Sequence, residues 1–226
     1  MKNILCYGDS NTWGADPSWD REGVSARHPA DVRWTGVLQK ELGETYRIYE
    51  CGLNCRNSAF EDTLVPDCNG LKTLPMVLNM VRPLDLVILM LGTNDCKHRM
   101  GLGPRDIARA MEALVTCIRK ADCGYQIGEA PKILLVCPAP LSDGVREFEW
   151  GGIFTPDSCE LSRQLAPFYR EIAEKHGCGF LDAGAVAQVS SGDCVHLDGE
   201  NHRKLAMAML PIIRRMLDTA CPPKLS

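Results

Sequence analysis

The chain has 226 residues, 45% of them hydrophobic and 24% charged, with a formal net charge of -4 and a pI near 5.8. That length suits one domain over 1–226 with a core large enough to need no disulfide or metal staple. The mild acidity and the lack of any basic run argue against a nucleic-acid or membrane-surface partner.

The first apolar run predicts a strand over Asn3–Tyr7, which ends in Gly8-Asp9-Ser10-Asn11. A serine there has two readings. Its hydroxyl can cap a helix or close a turn, or it can be a nucleophile held at the end of a buried strand. Trp34, Val37, Leu38 and Leu42 follow at helical spacing, and Arg47–Cys51 predicts a second strand. The third, Asp85–Leu91, shows no polar alternation, as expected for a parallel strand covered on both faces. Ile107, Met111, Leu114, Val115 and Ile118 form the next helical stripe, before a strand over Lys132–Cys137. Leu161, Leu165, Phe168 and Ile172 form another stripe, before a strand over Gly179–Asp182. Leu205, Met209, Ile212, Ile213 and Met216 mark a last helix, which Pro211 is expected to kink or interrupt.

Strand and helix alternating in this way predict a doubly wound parallel α/β sheet, in which ligands bind beyond the carboxyl ends of the strands. Three longer irregular stretches, Ala15–Ala30, Asn54–Gly70 and Leu141–Asp157, are candidate pocket walls. The last carries Trp150, Ile153 and Phe154 among glycines, and its apolar content suggests a surface covered by another subunit. Neither a signal-peptide core nor an apolar run near the roughly 20 residues of a membrane span is present, so a cytoplasmic protein is expected. The twelve cysteines are spread out and include no C-x-x-C pair. Cys6 and Cys137 lie inside apolar runs, where a thiol serves as a small core residue. Cys194 with His196, and Cys96 with His98, lack a second ligand pair, so neither metal nor cofactor is expected.

The residues just past the predicted strands are chemically distinctive. They are Ser10, Gly52, Asn94 and, before the last helix, Asp193-Cys194-Val195-His196. Acyl transfer by serine needs a base to take its proton, a carboxylate to orient that base, and donors aimed at the oxyanion. Asp193 and His196, three residues apart, can meet locally while Nε2 reaches Ser10. A glycine at 52 lets a backbone N–H approach a substrate closely, and Asn94 offers a side-chain amide.

These blocks, Gly8-Asp9-Ser10, Gly52, Gly92-x-Asn94 and Asp193-x-x-His196, resemble those of the SGNH (GDSL-type) hydrolases. The stretches ILCYGDSNTWG, VRWTGVLQKELG, LDLVILMLGTND and HLD resemble the bacterial arylesterase/acyltransferase branch, and the similarity spans nearly the whole chain. The resemblance implies a flavodoxin-like three-layer α/β/α sandwich with a central parallel sheet of about five strands. It implies Ser10 as nucleophile, His196 as base and Asp193 as its orienter. The oxyanion hole would be the N–H groups of Ser10 and Gly52 with the side chain of Asn94. It also implies a small-molecule ester substrate and a homo-oligomer.

Asn11 stands where many relatives have Leu, which predicts a more polar floor beside the nucleophile. Thr12 replaces the second glycine of the G-x-S-x-G elbow, so the α/β-hydrolase motif is absent. Candidate pocket residues are Asn11, Trp13, Asn54, Phe154 and Val195. Asp9 and Asp95 are expected to brace loops. His28, His98, His176 and His202 are expected at the surface or in loops, His202 on the solvated face of the last helix. The expected function is a serine esterase for short acyl esters. A carbohydrate O-acetyl esterase is the alternative, given Asn11, Asn54 and Asn57. A non-catalytic binding module on the same scaffold is the more distant one.

Overall fold

The computed structural model describes residues 1–18, 26–126, 128–147 and 152–218. The strands are β1 (Lys2–Gly8), β2 (Tyr46–Gly52), β3 (Leu86–Met90), β4 (Lys132–Cys137) and β5 (Gly179–Asp182). The α-helices are α1 (Ser10–Trp13), α2 (Trp34–Leu42), α3 (Gly70–Val81), α4 (Pro104–Lys120), α5 (Pro156–Arg163), α6 (Leu165–His176) and α7 (Gly199–Asp218). All strand pairs are parallel, in the order β2-β1-β3-β4-β5. The chain therefore leaves β1 toward one edge of the sheet and β3 toward the other, and a crevice opens where the direction reverses.

The period of two along each strand divides the core. Leu5, Tyr7, Val87, Leu89 and Leu135 meet the buried residues of α3, α4 and α6. Ile4, Cys6, Ile88, Leu134 and Val136 meet those of α2 and α7. Because both faces are covered, β1, β3 and β4 read as unbroken apolar runs. The result is the expected three-layer α/β architecture. Among the described residues no helix is long and apolar enough to cross a membrane.

Where the structure departs from the expected elements, proline and the start of a helix explain most of the difference. Leu74 and Leu78 bury one face of α3, a helix the periodicity did not mark because exposed Pro75 interrupts it. The stripe from Leu161 to Ile172 is two helices that part at Gln164. Pro167 lies in the first turn of α6, where its missing N–H costs no intrahelical bond. Tyr169, rather than Phe168, carries the buried contact there. Pro211 leaves α7 unbroken, and it lies on the exposed side.

His202 is fully buried, not solvated. The helix begins at Gly199, which puts residue 202 on the same face as Leu205, Ala206 and Met209. Its Nδ1 accepts the Trp34 N–H at 3.3 Å, and its ring packs edge-on against His28, 5.0 Å between centroids. His28 is buried as well, its Nε2 3.1 Å from the Leu197 carbonyl oxygen.

Candidate active site

Asp9 caps α1 by accepting the Asn11 N–H at 2.9 Å, and Gly14 (φ 92°) ends the helix after four residues. A side chain at Gly8 would lie 2.0 Å from Thr12 Oγ1, so glycine is required for so tight a strand-to-helix turn. Ser10 is thus the first helical residue, where a backbone N–H has no intrahelical acceptor.

Ser10 Oγ lies 2.9 Å from His196 Nε2, and His196 Nδ1 lies 2.5 Å from Asp193 Oδ2. This contact spans 186 residues of chain. Asp193 and His196 meet in a loop ahead of α7, turned by Cys194 in the left-handed region at φ 64°. The other oxygen, Asp193 Oδ1, accepts the N–H groups of Val195 (2.9 Å) and His196 (2.8 Å). Burial alone would raise the Asp193 pKa. The hydrogen bond and charge of His196, with those two N–H groups, outweigh it and hold the carboxyl below its usual range.

Asn11 does not floor the pocket. Its Nδ2 donates to the Val195 carbonyl (3.3 Å) and its Oδ1 accepts the Leu197 N–H (2.9 Å), strapping the loop on both sides of His196 to α1. Trp13 also lies off the cavity, its ring under the Arg27 guanidinium at 4.8 Å.

A cavity of about 280 Å³ opens over Ser10 and His196. Asn54, Phe154 and Val195 line it, as does Asn94, whose Nδ2 also donates to the Arg56 carbonyl at 3.2 Å. Ile153 and Phe154 of the 141–157 stretch line the cavity. Trp150 falls outside the described residues.

Gly52 is not at the cavity. A Cβ there would lie 2.0 Å from the Trp13 nitrogen, so this glycine lets the backbone of α1 settle on β2. Cys55 lines the cavity instead, with φ 65° and a backbone N–H that finds no acceptor among the described residues. Sequence reasoning missed it because a left-handed cysteine carries none of the Gly or Asn signal of that conformation. Arg56 holds this loop to the sheet, with Nη1 donating to the carbonyls of Gly8 (2.7 Å) and Cys51 (2.6 Å).

Asp95 is fully buried and accepts the Ser58 N–H at 2.9 Å and the Ser58 hydroxyl at 2.6 Å. Burial pushes its carboxyl up to about 6, against the pull of those hydrogen bonds. Burial also raises the Asp9 carboxyl. Neither carboxylate lines the cavity, and each braces a loop, as its position past a strand implied. Lys97 and Arg99, which the sequence did not single out, do line it.

A serine hydroxyl joined to histidine and a buried carboxylate, at the reversal point of a parallel sheet, is the arrangement that serine hydrolases use. The chain belongs to the GDSL-like Lipase/Acylhydrolase family, whose sequence model matches residues 6–204, and is an SGNH-type carboxylic ester hydrolase. It is similar to a solved carbohydrate acetylesterase family member from Sinorhizobium meliloti, at 41% identity and TM-score 0.88, covering 96% of this chain and 100% of that one. The native aryl esterase of M. smegmatis is 37% identical with TM-score 0.89, over the same shares of both chains. Est24, a carbohydrate acetylesterase from Sinorhizobium meliloti, is 34% identical with TM-score 0.89, again over 96% and 100%. No curated protein matches the chain.

Proposed function

We propose that the protein hydrolyses small esters with short acyl groups through an acyl-enzyme on Ser10. The observation that carries this reading is the unbroken hydrogen-bond chain from Ser10 Oγ through His196 to Asp193, opening on one cavity. His196 Nε2 takes the serine proton as Oγ attacks the ester carbonyl. Asp193 keeps Nδ1 protonated and steadies the imidazolium that forms. The developing oxyanion is met by the Ser10 N–H, the Cys55 N–H and Asn94 Nδ2, in place of the Gly52 N–H expected from sequence. The tetrahedral intermediate collapses, His196 returns the proton to the leaving alcohol, and water repeats the sequence on the acyl-enzyme.

Ala15, Ala26, Val65, Ile153, Phe154 and Val195 give the cavity largely apolar walls. At about 280 Å³ it sits at the small end of ligand pockets, which favours acyl groups of about two to four carbons. Apolar walls also disfavour water at the acyl-enzyme, so added alcohols compete as acceptors. An activity series of aryl esters from acetate to octanoate tests this, with a maximum expected among the short chains. A rate that climbs steadily to octanoate contradicts the small pocket, and hydrolysis as the sole outcome in dilute alcohol contradicts acyl transfer.

A second reading, a carbohydrate O-acetyl esterase, is favoured by the similarity to two carbohydrate acetylesterases. Acetylated xylose assayed beside an aryl acetate separates the two, since faster turnover of the sugar selects the second.

A further inference from the structure

Asp62 is 3% exposed and anchors a cluster of charge beside the cavity. Its Oδ1 accepts Arg99 Nε at 3.0 Å and the Leu64 N–H at 3.2 Å. Its Oδ2 accepts Arg99 Nη2 at 2.6 Å and Lys97 Nζ at 3.1 Å. The Arg99 hydrogen bonds, with Lys97 behind them, hold the carboxyl down at about 2, against its burial.

A two-pronged arginine already satisfies one carboxylate and joins the two loops. Lys97 is the surplus. Its side chain is 3% exposed, and its ammonium has one acceptor, Asp62, among the described residues. Burying an ammonium is costly unless its charge and its three donors are met, and here a carboxylate shared with Arg99 is all that meets them. Two cations therefore share one anion at a wall of the cavity that holds Ser10.

The other nearby acids are otherwise engaged. Asp95 and Asp9 lie off the cavity and accept from Ser58 and Asn11. Asp16 does line it, but its Oδ1 accepts the Ser18 N–H (2.9 Å) and hydroxyl (2.6 Å), and its Oδ2 faces His28 Nδ1 at 3.5 Å.

We infer that the cavity selects esters that carry a carboxylate, which Lys97 and Arg99 receive. This rests on the esterase reading above and names its substrate class. The bound carboxylate gives the buried ammonium the second acceptor it lacks, in a site where screening by water is weak.

The test compares 4-acetoxybenzoate with its neutral methyl ester, and a monoaryl succinate with its methyl ester, each corrected for uncatalysed hydrolysis, so that the charge enters on the alcohol side or on a four-carbon acyl side. The expected result is kcat/KM at least about tenfold higher for the acid of one pair, falling toward one in Lys97→Met and in Arg99→Gln. Taking the ratio within each variant cancels any general damage to the enzyme. Calorimetric binding of 4-hydroxybenzoate against 4-hydroxybenzamide, and of succinate against succinamide, reads the same wall without an ester to turn over. Tighter binding of an acid, lost in Lys97→Met, supports the inference even where no ester is hydrolysed, an outcome that sinks the esterase reading alone. Equal turnover and equal binding within both pairs overturn the inference, leave ester hydrolysis standing, and reduce Lys97 to a loop clamp.

Discussion

Asp193 and Asp95 are both buried carboxylates in loops beyond the carboxyl edge of the sheet, yet their surroundings push them in opposite directions. Asp193 faces an imidazole and two backbone N–H groups, and stays ionised below its usual range. Asp95 faces a neutral serine, with Asp9 adding like charge, and rises to about 6. Burial penalises both. The charge of the partner decides which way each carboxyl is pushed, and only Asp193 is linked to Ser10.

The largest expected effect comes from breaking the linked side. Asp193→Asn should lower kcat by about 10⁴-fold, since the wrong imidazole tautomer then faces Ser10. Steady-state kinetics with an aryl acetate measures it. Asn94→Ala should lower kcat by roughly 10²–10³ with a smaller change in KM, the signature of a donor used mainly in the transition state. Asp95→Asn should cost far less turnover, because no reacting group touches Asp95. If Asp95→Asn proves as damaging as Asp193→Asn, the division of roles drawn from their partners is wrong.

Stability against pH sharpens the same comparison. The folded pKa of Asp193 is depressed, so its contribution is present above its unfolded value of about 3.9 and is lost as pH falls through the folded one. Asp95 is the reverse. Its folded pKa of about 6 exceeds the unfolded value, so it disfavours the fold increasingly as pH rises from about 4 past 6. Melting temperatures of Asp95→Asn, relative to the parent, should therefore climb across that window. A flat difference contradicts an elevated Asp95.

His202 adds a further acid limit. Burial, with the charges of His28 and His196, lowers it to about 3, so stability falls as pH drops below about 6.5, by at most about 1.4 kcal/mol per pH unit. The variant His202→Gln should flatten that decline in a urea titration series.

Glycine at 52 is expected to act on the fold more than on the cavity. Gly52→Ala should destabilise the fold, because its methyl group would meet the backbone of α1. It should leave KM for a small ester less altered than a change at the cavity wall.

The sheet is legible in the sequence because apolar runs act locally, and the residues of the Ser10–His196–Asp193 chain are legible because they stand in recognisable motifs, although the contact itself spans 186 residues. The sequence is silent where a contact crosses the chain without a motif to mark it. Nothing in HRKL reveals that His202 packs on Trp34 and His28, which depends on where α7 begins. From the sequence Asn11 reads as a pocket residue, whereas its amide straps the loop on both sides of His196. The sequence sets Gly52 against the substrate, whereas what approaches it is a helix backbone. Lys97 and Arg99 become a site only when Asp62, far earlier in the chain, is folded against them.

The central claim is that Ser10 forms the acyl-enzyme. A fluorophosphonate that phosphonylates activated serines, followed by peptide mass mapping, tests it most directly. One adduct per chain on the peptide carrying Ser10, abolished in Ser10→Ala together with ester hydrolysis, is the expected result. An adduct on another serine, or hydrolysis that survives Ser10→Ala, would contradict it.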